Sequence, residues 1–486
     1  MGVIINQSVK NVLTTYVGFG LGALNTLFLY TYFLDQEHYG LVSFLLSAAN
    51  LIWPFMAFGV HSTIVKFFTS YKTKEEKDKL LNLALYLPLA ISLILGGIGH
   101  FTYEFLLNYF SDGNELVKPY VWLIYLLAIA TAYFEIFFAW AKIYYKSTFG
   151  NFMKEVVHRL GTTILLFLVY FDLLEVNHFM YGVGLVFLIR LLVMGAYAFK
   201  LHRPTLKFSF PSNLIRVLKY TALILIAASV ATALLDLDKV MIESYLPIEN
   251  VAIYGIGVYI ATVISVPQKA MHQITNPITA EYLNTRNFKK LEDLYKKSSI
   301  NLSIVSALIF ILIITNVHML YELIPKEYSL SILIVLLISL VKLYDNILAI
   351  NNSILFNSDY YRIVLAIGVL LVVLAFLLNL FFIPRFGIEG AAIASFLAFF
   401  IYNTSKLILV EQKFKMNPFT KQSWMLFGLT SIFSIVFYYW EFPFYPIVSI
   451  ALKGGITAIL YISAVYFLNL SEEINVMIRS IVAKIK

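Results

Sequence analysis

Again and again this chain strings together twenty or more mostly apolar residues, and that repetition limits what it can fold into. A helix needs about 20 such residues to cross a hydrocarbon layer roughly 30 Å thick, because each residue rises about 1.5 Å. Fourteen segments meet that length: 11–33, 42–67, 80–100, 119–141, 152–171, 178–200, 214–236, 250–275, 298–320, 330–352, 361–383, 389–411, 423–440 and 446–468. No water-soluble core could cover so much apolar surface. The 486 residues are 60% hydrophobic and 13% charged, whereas a soluble domain is nearer ~25% charged. Mean hydropathy is +0.81. The expectation is an all-α polytopic membrane protein with about fourteen transmembrane helices.

Orientation follows from where Lys and Arg fall, since cytoplasmic loops collect them. With the N-terminus inside, the basic runs all lie on one face: Lys72, Lys74, Lys77 and Lys79; Lys200, Arg203, Lys207, Arg216 and Lys219; Arg286, Lys289, Lys290, Lys296 and Lys297. Acids gather on the other, among them Asp35, Glu37, Glu104, Asp112, Glu115, Asp172 and Glu175. The net charge of +8 is therefore a topology signal, and no nucleic-acid partner is expected. Both termini are expected in the cytoplasm of a bacterial inner membrane. With no cysteine, thiol chemistry and disulfides are excluded. The run from Asn11 to Phe33 is too long for a signal-peptide core and is read as a retained first span. After Ser471, the residues Ile474, Met477, Ile478, Ile481, Val482 and Ile485 fall on one helical face opposite Arg479 and Lys484. That segment is expected to lie along the inner membrane surface.

A faint internal repeat runs through the chain with a period of about 215 residues. Leu34-Asp35-Gln36-Glu37-His38-Tyr39-Gly40 follows the first span, and Leu246-Pro247-Ile248-Glu249-Asn250 with Ile253-Tyr254-Gly255 follows the seventh. The next span in each copy runs into a Lys-rich connection. The expected organisation is a six-helix lobe over 1–205, a second over 206–415, two additional helices over 416–470, and a cytoplasmic amphipathic tail over 471–486.

Three stretches carry a family resemblance. Ile383-Pro384-Arg385-Phe386-Gly387-Ile388-Glu389-Gly390-Ala391-Ala392-Ile393-Ala394 is a turn between two spans, rich in small residues that let helix backbones approach. Leu235-Asp236-Leu237-Asp238-Lys239-Val240-Met241-Ile242 leads to Ile253-Tyr254-Gly255, and a first helix bearing Gly18, Gly20 and Gly22 leads to Tyr39-Gly40. In these stretches the chain resembles the Wzx-type flippases, the polysaccharide-transport branch of the multidrug/oligosaccharidyl-lipid/polysaccharide exporter superfamily. The resemblance implies two lobes in the arrangement of the multidrug exporters, around a cavity that opens alternately to the two faces. It also implies an undecaprenyl-diphosphate-linked oligosaccharide as substrate, the repeat unit of O antigen, capsule or another surface polysaccharide. Membrane lipid and other polysaccharide-assembly membrane proteins are the partners it implies.

Ionisable groups inside spans are costly and mark candidate sites. Arg190 lies near the middle of the sixth span, and Lys342 and Asp345 in the tenth. Lys269 and His272 lie in the inner half of the eighth, Glu135 in the fourth and Arg159 near the inner end of the fifth. Lys342 and Asp345, at i and i+3, can equally neutralise each other. Arg159 and Lys142 are read as snorkelling to the interface, and Glu135 as a brace paired with a base or an ion-coupling acid. The resemblance places the first, second, seventh and eighth helices around the cavity, which implies Lys66, Lys239, Lys269 and His272 as headgroup contacts, with Asn25 and Asn50 as neutral hydrogen-bonding groups. Arg190 and Lys342 complete the cationic set; Asp345, Glu135 and Asp236 are the ion-coupling candidates. The first helix has no arginine, unlike the related peptidoglycan-precursor flippases, which counts against lipid II as substrate.

A membrane glycosyltransferase is the enzymatic rival, because Asp236 and Asp238 could hold a divalent cation beside a sugar phosphate. A short turn follows them, however, where such enzymes carry a sizeable external loop. A small-molecule exporter of the same superfamily is the other rival. No phosphate-binding Gly-rich loop, zinc-binding helix motif or nucleophile elbow occurs. No catalytic residue, metal or cofactor is expected.

Overall fold

A computed structural model describes residues 2–105, 114–328 and 331–485, with the side chains at 2–9, 12, 231, 234, 235, 273, 481, 482, 484 and 485 set aside. Asp112 of the expected external loop, and the side chains of Ile481, Val482, Lys484 and Ile485 in the tail, therefore lie outside the described residues. Among the described residues all regular structure is helical. The first span is α1 (Gly2–Leu24), a π-helical turn (Asn25–Leu29) and α2 (Tyr30–Phe33). α3 (Gln36–Ala57) and α4 (Val60–Phe67) form the second, divided where Phe58 and Gly59 take left-handed φ values of 47° and 71°. Then come α5 (Lys74–Phe101), α6 (Val121–Ile143), α7 (Ser147–Phe152), a second π turn (Met153–Val157), α8 (His158–Tyr170), α9 (Val176–Leu201) and α10 (Leu214–Glu243). Beyond them lie α11 (Glu249–Thr262), α12 (Val266–Asn284), α13 (Phe288–Glu322), α14 (Ile332–Ile347), α15 (Asn351–Phe356), α16 (Tyr361–Phe414), α17 (Lys421–Tyr438), α18 (Pro446–Phe467) and α19 (Glu472–Ile485).

Eight of the described helices are long and apolar enough to cross a membrane on length and composition. The fourteen expected spans are not counted out by that criterion, and the physical reason is visible: π turns divide the first and fifth, and α14 has only 16 residues. One of the eight, α16, is two rods. Gly387 has φ 60° and ψ −140° inside it, a conformation open essentially to glycine. Residues eight apart in a straight helix are about 12 Å apart, yet a Cβ on Gly390 would sit 2.2 Å from the carbonyl oxygen of Phe382. The chain therefore folds back at Gly387, inside the small-residue stretch that was expected to turn between two spans.

Helix starts follow side-chain chemistry. Asp35 caps α3 by accepting from the His38 amide at 2.8 Å, and His38 beside it holds the Asp35 carboxyl below its usual range. Thr420 and Ser423 form a capping box at α17. Span surfaces are apolar: Leu93, Leu192, Ile432, Ile435 and Ile459 are exposed, as lipid permits. Polar residues turn inward, where Thr315, Asn346 and Thr457 are buried.

The chain forms two compact units, Met1–Gly255 and Ile256–Lys486. In the first, α6 packs against α3, α4 and α9, and α10 packs on α3 and α4. Its core gathers Ile64, Phe67, Phe134, Trp140 and Met194. In the second, α13 packs against α12, α14, α17 and α18, and a core forms around Leu291, Tyr295, Ile354 and Val410. The tail helix α19 is tied to α13 by Ser471 with Asn301 and by Lys297 with Glu473 at 3.7 Å. Val476 and Met477 stay exposed on it.

Candidate functional site

In the first unit, three of the expected residues meet. Asp236, buried on α10, accepts hydrogen bonds from Ser47 Oγ at 2.8 Å and Asn50 Nδ2 at 3.2 Å, both on α3. Lys239 Nζ, one helical turn along, lies 3.7 Å from the same carboxylate. A charge inside a span is thus met by two neutral donors and one cation, which is how a buried carboxylate is tolerated. Asp238 turns elsewhere and accepts from the Tyr254 hydroxyl. The two acids have separate partners and do not converge as a pair. Among the described residues no group of three His, Asp or Glu could hold a metal.

Lys66 is exposed at the end of α4, with its ammonium 3.9 Å from the centre of the Tyr220 ring. Asn25 sits at the π turn of the first span and both ends of its amide are engaged by α8. Its Nδ2 donates to the Arg159 carbonyl at 3.0 Å, and its Oδ1 accepts from Thr163 at 2.7 Å. Glu135 on α6 pairs with Lys154 at 2.7 Å. Arg159 pairs with Glu155 at 3.1 Å. Arg190 is buried on α9, with its guanidinium 4.0 Å from the Phe134 ring centre and 4.8 Å from that of Phe187.

In the second unit, α12 presents Gln268, Lys269 and His272. Gln268 Nε2 donates to Asp345 Oδ2 at 3.0 Å, His272 Nε2 lies 3.1 Å from the Ala349 carbonyl oxygen, and Lys269 is exposed between them. Asp345 also faces Lys406 Nζ at 3.8 Å. Lys342 lies with its ammonium 5.5 Å from the Phe399 ring centre. Lys406 on α16 is a residue that reading the sequence missed. It is 1% exposed, donates to Asn352 Oδ1 at 2.9 Å and sits 4.1 Å from the Tyr402 ring centre. The signal was present, since it is the one basic residue between Arg385 and Lys413. Lys154, the partner of Glu135, was missed as well; its expected span begins only two residues earlier, where a lysine reads as interfacial.

The second unit also holds an apolar groove of about 320 Å³ between α13, α14 and α17, lined by Ala307, Phe310, Leu340, Leu343, Leu426 and Phe427 among others. Its size and lining suit a hydrocarbon chain rather than a polar headgroup.

Several solved structures share this fold. A lipid II flippase, MurJ in an inward-closed conformation, aligns with a TM-score of 0.73 at 16% identity, covering 95% of this chain and all 100% of that one. An inward-facing multidrug-resistance transporter of the MATE family, within the MOP superfamily, aligns at 0.59 with 14% identity over 85% of this chain and 95% of its own. The Vibrio cholerae MATE transporter VcmN, in its bent form, aligns at 0.57 with 13% identity over 85% and 98%. No curated protein sequence matches the chain. The profile of one family, described as polysaccharide biosynthesis protein, matches residues 8–282. That match spans more than half of the chain, and the fold is the one shared by MurJ and the MATE transporters. The chain is thus a multi-pass membrane protein that belongs to the polysaccharide biosynthesis protein family and has the fold of MurJ and the MATE transporters.

Proposed function

We propose that the protein flips an undecaprenyl-diphosphate-linked oligosaccharide, a surface-polysaccharide repeat unit, from the cytoplasmic to the outer face of the inner membrane by alternating access. The family match over 8–282 carries this reading. The physical problem is to move a diphosphate and a hydrated sugar through a medium that solvates neither. Accessible cations offset that desolvation. Lys66 and Lys269 are exposed, Lys239 is one-fifth exposed, and His272 and Lys342 are half-buried. In this reading they contact the headgroup, with Asn50 as a neutral neighbour, while the apolar groove between α13, α14 and α17 receives part of the polyprenyl tail. Asp236 and Asp345 are the acids through which an ion would couple, because each is held beside a cation.

The lobes near 1–205 and 206–415 rock against each other in this mechanism, the helices of 416–470 support the second lobe, and the tail of 471–486 braces it on the inner surface. Both termini are cytoplasmic, as the distribution of Lys and Arg favours. The chain acts as a carrier, with no catalytic step. Export of small molecules is the second reading, favoured by the fold shared with the MATE transporters.

Proteoliposomes holding a fluorescent undecaprenyl-diphosphate oligosaccharide test the reading. Transfer by the intact protein is expected, with a loss of about tenfold or more in a folded Lys269→Ala variant. Absence of transfer for every sugar tried, together with transport of small cationic dyes, would establish the exporter reading instead.

A further inference from the structure

The connection between α9 and α10, residues 202–213, has no regular structure, and α5 straps it in place. Asp78 Oδ1 lies 2.6 Å from His202 Nε2, and Asp78 Oδ2 accepts from the Thr205 amide and hydroxyl at 3.1 and 2.8 Å. Asn82, one turn along, donates to the carbonyls of Thr205 and Lys207 at 2.8 and 3.0 Å. Phe208 then meets Tyr86 with ring centres 5.7 Å apart, and Phe210 at 5.1 Å. The return limb ties back to the start of α5, where the Ser212 amide donates to Glu76 at 3.2 Å and Tyr71 donates to Asn213. The connection therefore runs along α5 from residue 78 to residue 86 and comes back to residue 76.

That course carries its tip to membrane depth. Tyr86 lies six residues inside the third expected span, 80–100, which is about 9 Å past the span's end at about 1.5 Å per residue. Phe208 is nonetheless 80% exposed and Leu206 63%. Beyond Tyr86 the same face of α5 continues in Leu89 and Leu93, both exposed, so the tip joins the lipid-facing surface. Irregular backbone at such depth is tolerated only where protein satisfies its polar groups, and buried Asn82 supplies the donors for two carbonyls. Around the tip the charge has one sign. Residues 200–219 carry Lys200, Arg203, Lys207, Arg216 and Lys219 and no acid. The α5 acids that face the connection are engaged, Asp78 by His202 and Thr205, and Glu76 by Ser212 and by Lys79 at 3.1 Å. Arg203, Lys207, Arg216 and Lys219 are exposed, the last two beside an open recess of about 720 Å³ at Ser212 and Asn213.

We infer that this connection is a lipid anchor: its tip, Leu206 and Phe208, inserts among the acyl chains of the nearer leaflet, and Arg203, Lys207, Arg216 and Lys219 hold the headgroups of anionic phospholipids around it. Long basic side chains reach the headgroup level from a backbone set below it, and each cation near an anionic surface adds to the attraction. A soluble partner would meet the basic residues on the water side but not a ring that lies against α5 inside the span. The inference rests on the reading of α5 as a span, and it holds whichever substrate the protein carries.

The full chain in nanodiscs of phosphatidylcholine and phosphatidylglycerol tests it, because with no native cysteine a fluorescent label attaches at one introduced site. A label at Phe208→Cys is expected to be quenched by lipid spin-labelled on its acyl chain. Aqueous iodide should quench it about fivefold less than the same label at Lys74→Cys, an exposed site ahead of the span. Spin-labelled phosphatidylglycerol should quench it about fivefold more than spin-labelled phosphatidylcholine, and combining Lys207→Gln, Arg216→Gln and Lys219→Gln should bring the two lipids close to parity. Equal iodide quenching at the two sites would overturn the insertion. Equal quenching by the two lipids would overturn the anionic preference, and a preference undiminished in the triple variant would overturn its assignment to these cations. Should Phe208→Cys not yield monodisperse protein, Leu206→Cys gives the same readout.

Discussion

The turns at Tyr39-Gly40 and Tyr254-Gly255 read alike in sequence and are built differently. In both, the tyrosine hydroxyl reaches back toward the end of the preceding span. Tyr39 donates to the Thr26 carbonyl at 3.0 Å, and Tyr254 to the Asp238 carboxylate. Tyr39 also stacks on Tyr30 with ring centres 4.7 Å apart. The glycines part company. A Cβ on Gly40 would lie 2.1 Å from the backbone oxygen of Ile248, whereas one on Gly255 would meet nothing nearer than 3.9 Å. The first turn thus packs its backbone directly on the residues before α11, and Gly255 stands where no steric need calls for a glycine. The same dipeptide at two turns does two different jobs; only the contact decides what each residue does there.

Four substitutions would break or sharpen this comparison, each read by thermal or denaturant unfolding in the same detergent. Gly40→Ala should cost about 3 kcal/mol, the top of the usual range for overpacking, because a carbonyl cannot rotate out of the way as a side chain can. Little loss there would mean that the turns slide apart easily. Tyr254→Phe should cost about 2 kcal/mol, since it removes a donor from a buried carboxylate. Tyr39→Phe loses a bond to a backbone carbonyl but keeps the stacked ring, and about 1 kcal/mol is expected. Gly255→Ala, inside α11 with space around it, should be neutral or stabilising by up to about 1 kcal/mol. A loss at Gly255 equal to that at Gly40 would erase the distinction.

Much of the architecture could be read from residues alone. The apolar runs announced a polytopic all-helical chain, and the fold-back at Gly387 lies within the small-residue turn expected between two spans. Glu135 was read either as a brace paired with a base or as an ion-coupling acid, and Lys154 lies 2.7 Å from it. The base itself was out of reach, because Lys154 is 19 residues away along the chain and nothing in a one-dimensional pattern brings α6 to the second π turn. Lys342 and Asp345 share one helix face, so mutual neutralisation and a substrate or ion role were equal readings. The carboxylate is also faced by Lys406 and Gln268, from two other helices, which local spacing cannot show. The π turns were equally hidden. They insert one residue into a helical ladder without any breaker residue to announce it.

Asn25 shows what such an insertion costs and permits. At that point the ladder's own bonds no longer set the rotation of the lower part of the span relative to the upper. One amide, clasped by Thr163 and the carbonyl of Arg159, takes over that task. The shape of the first membrane rod is therefore written partly in the fifth, and a change of a hydroxyl on one would be felt as torsion in the other.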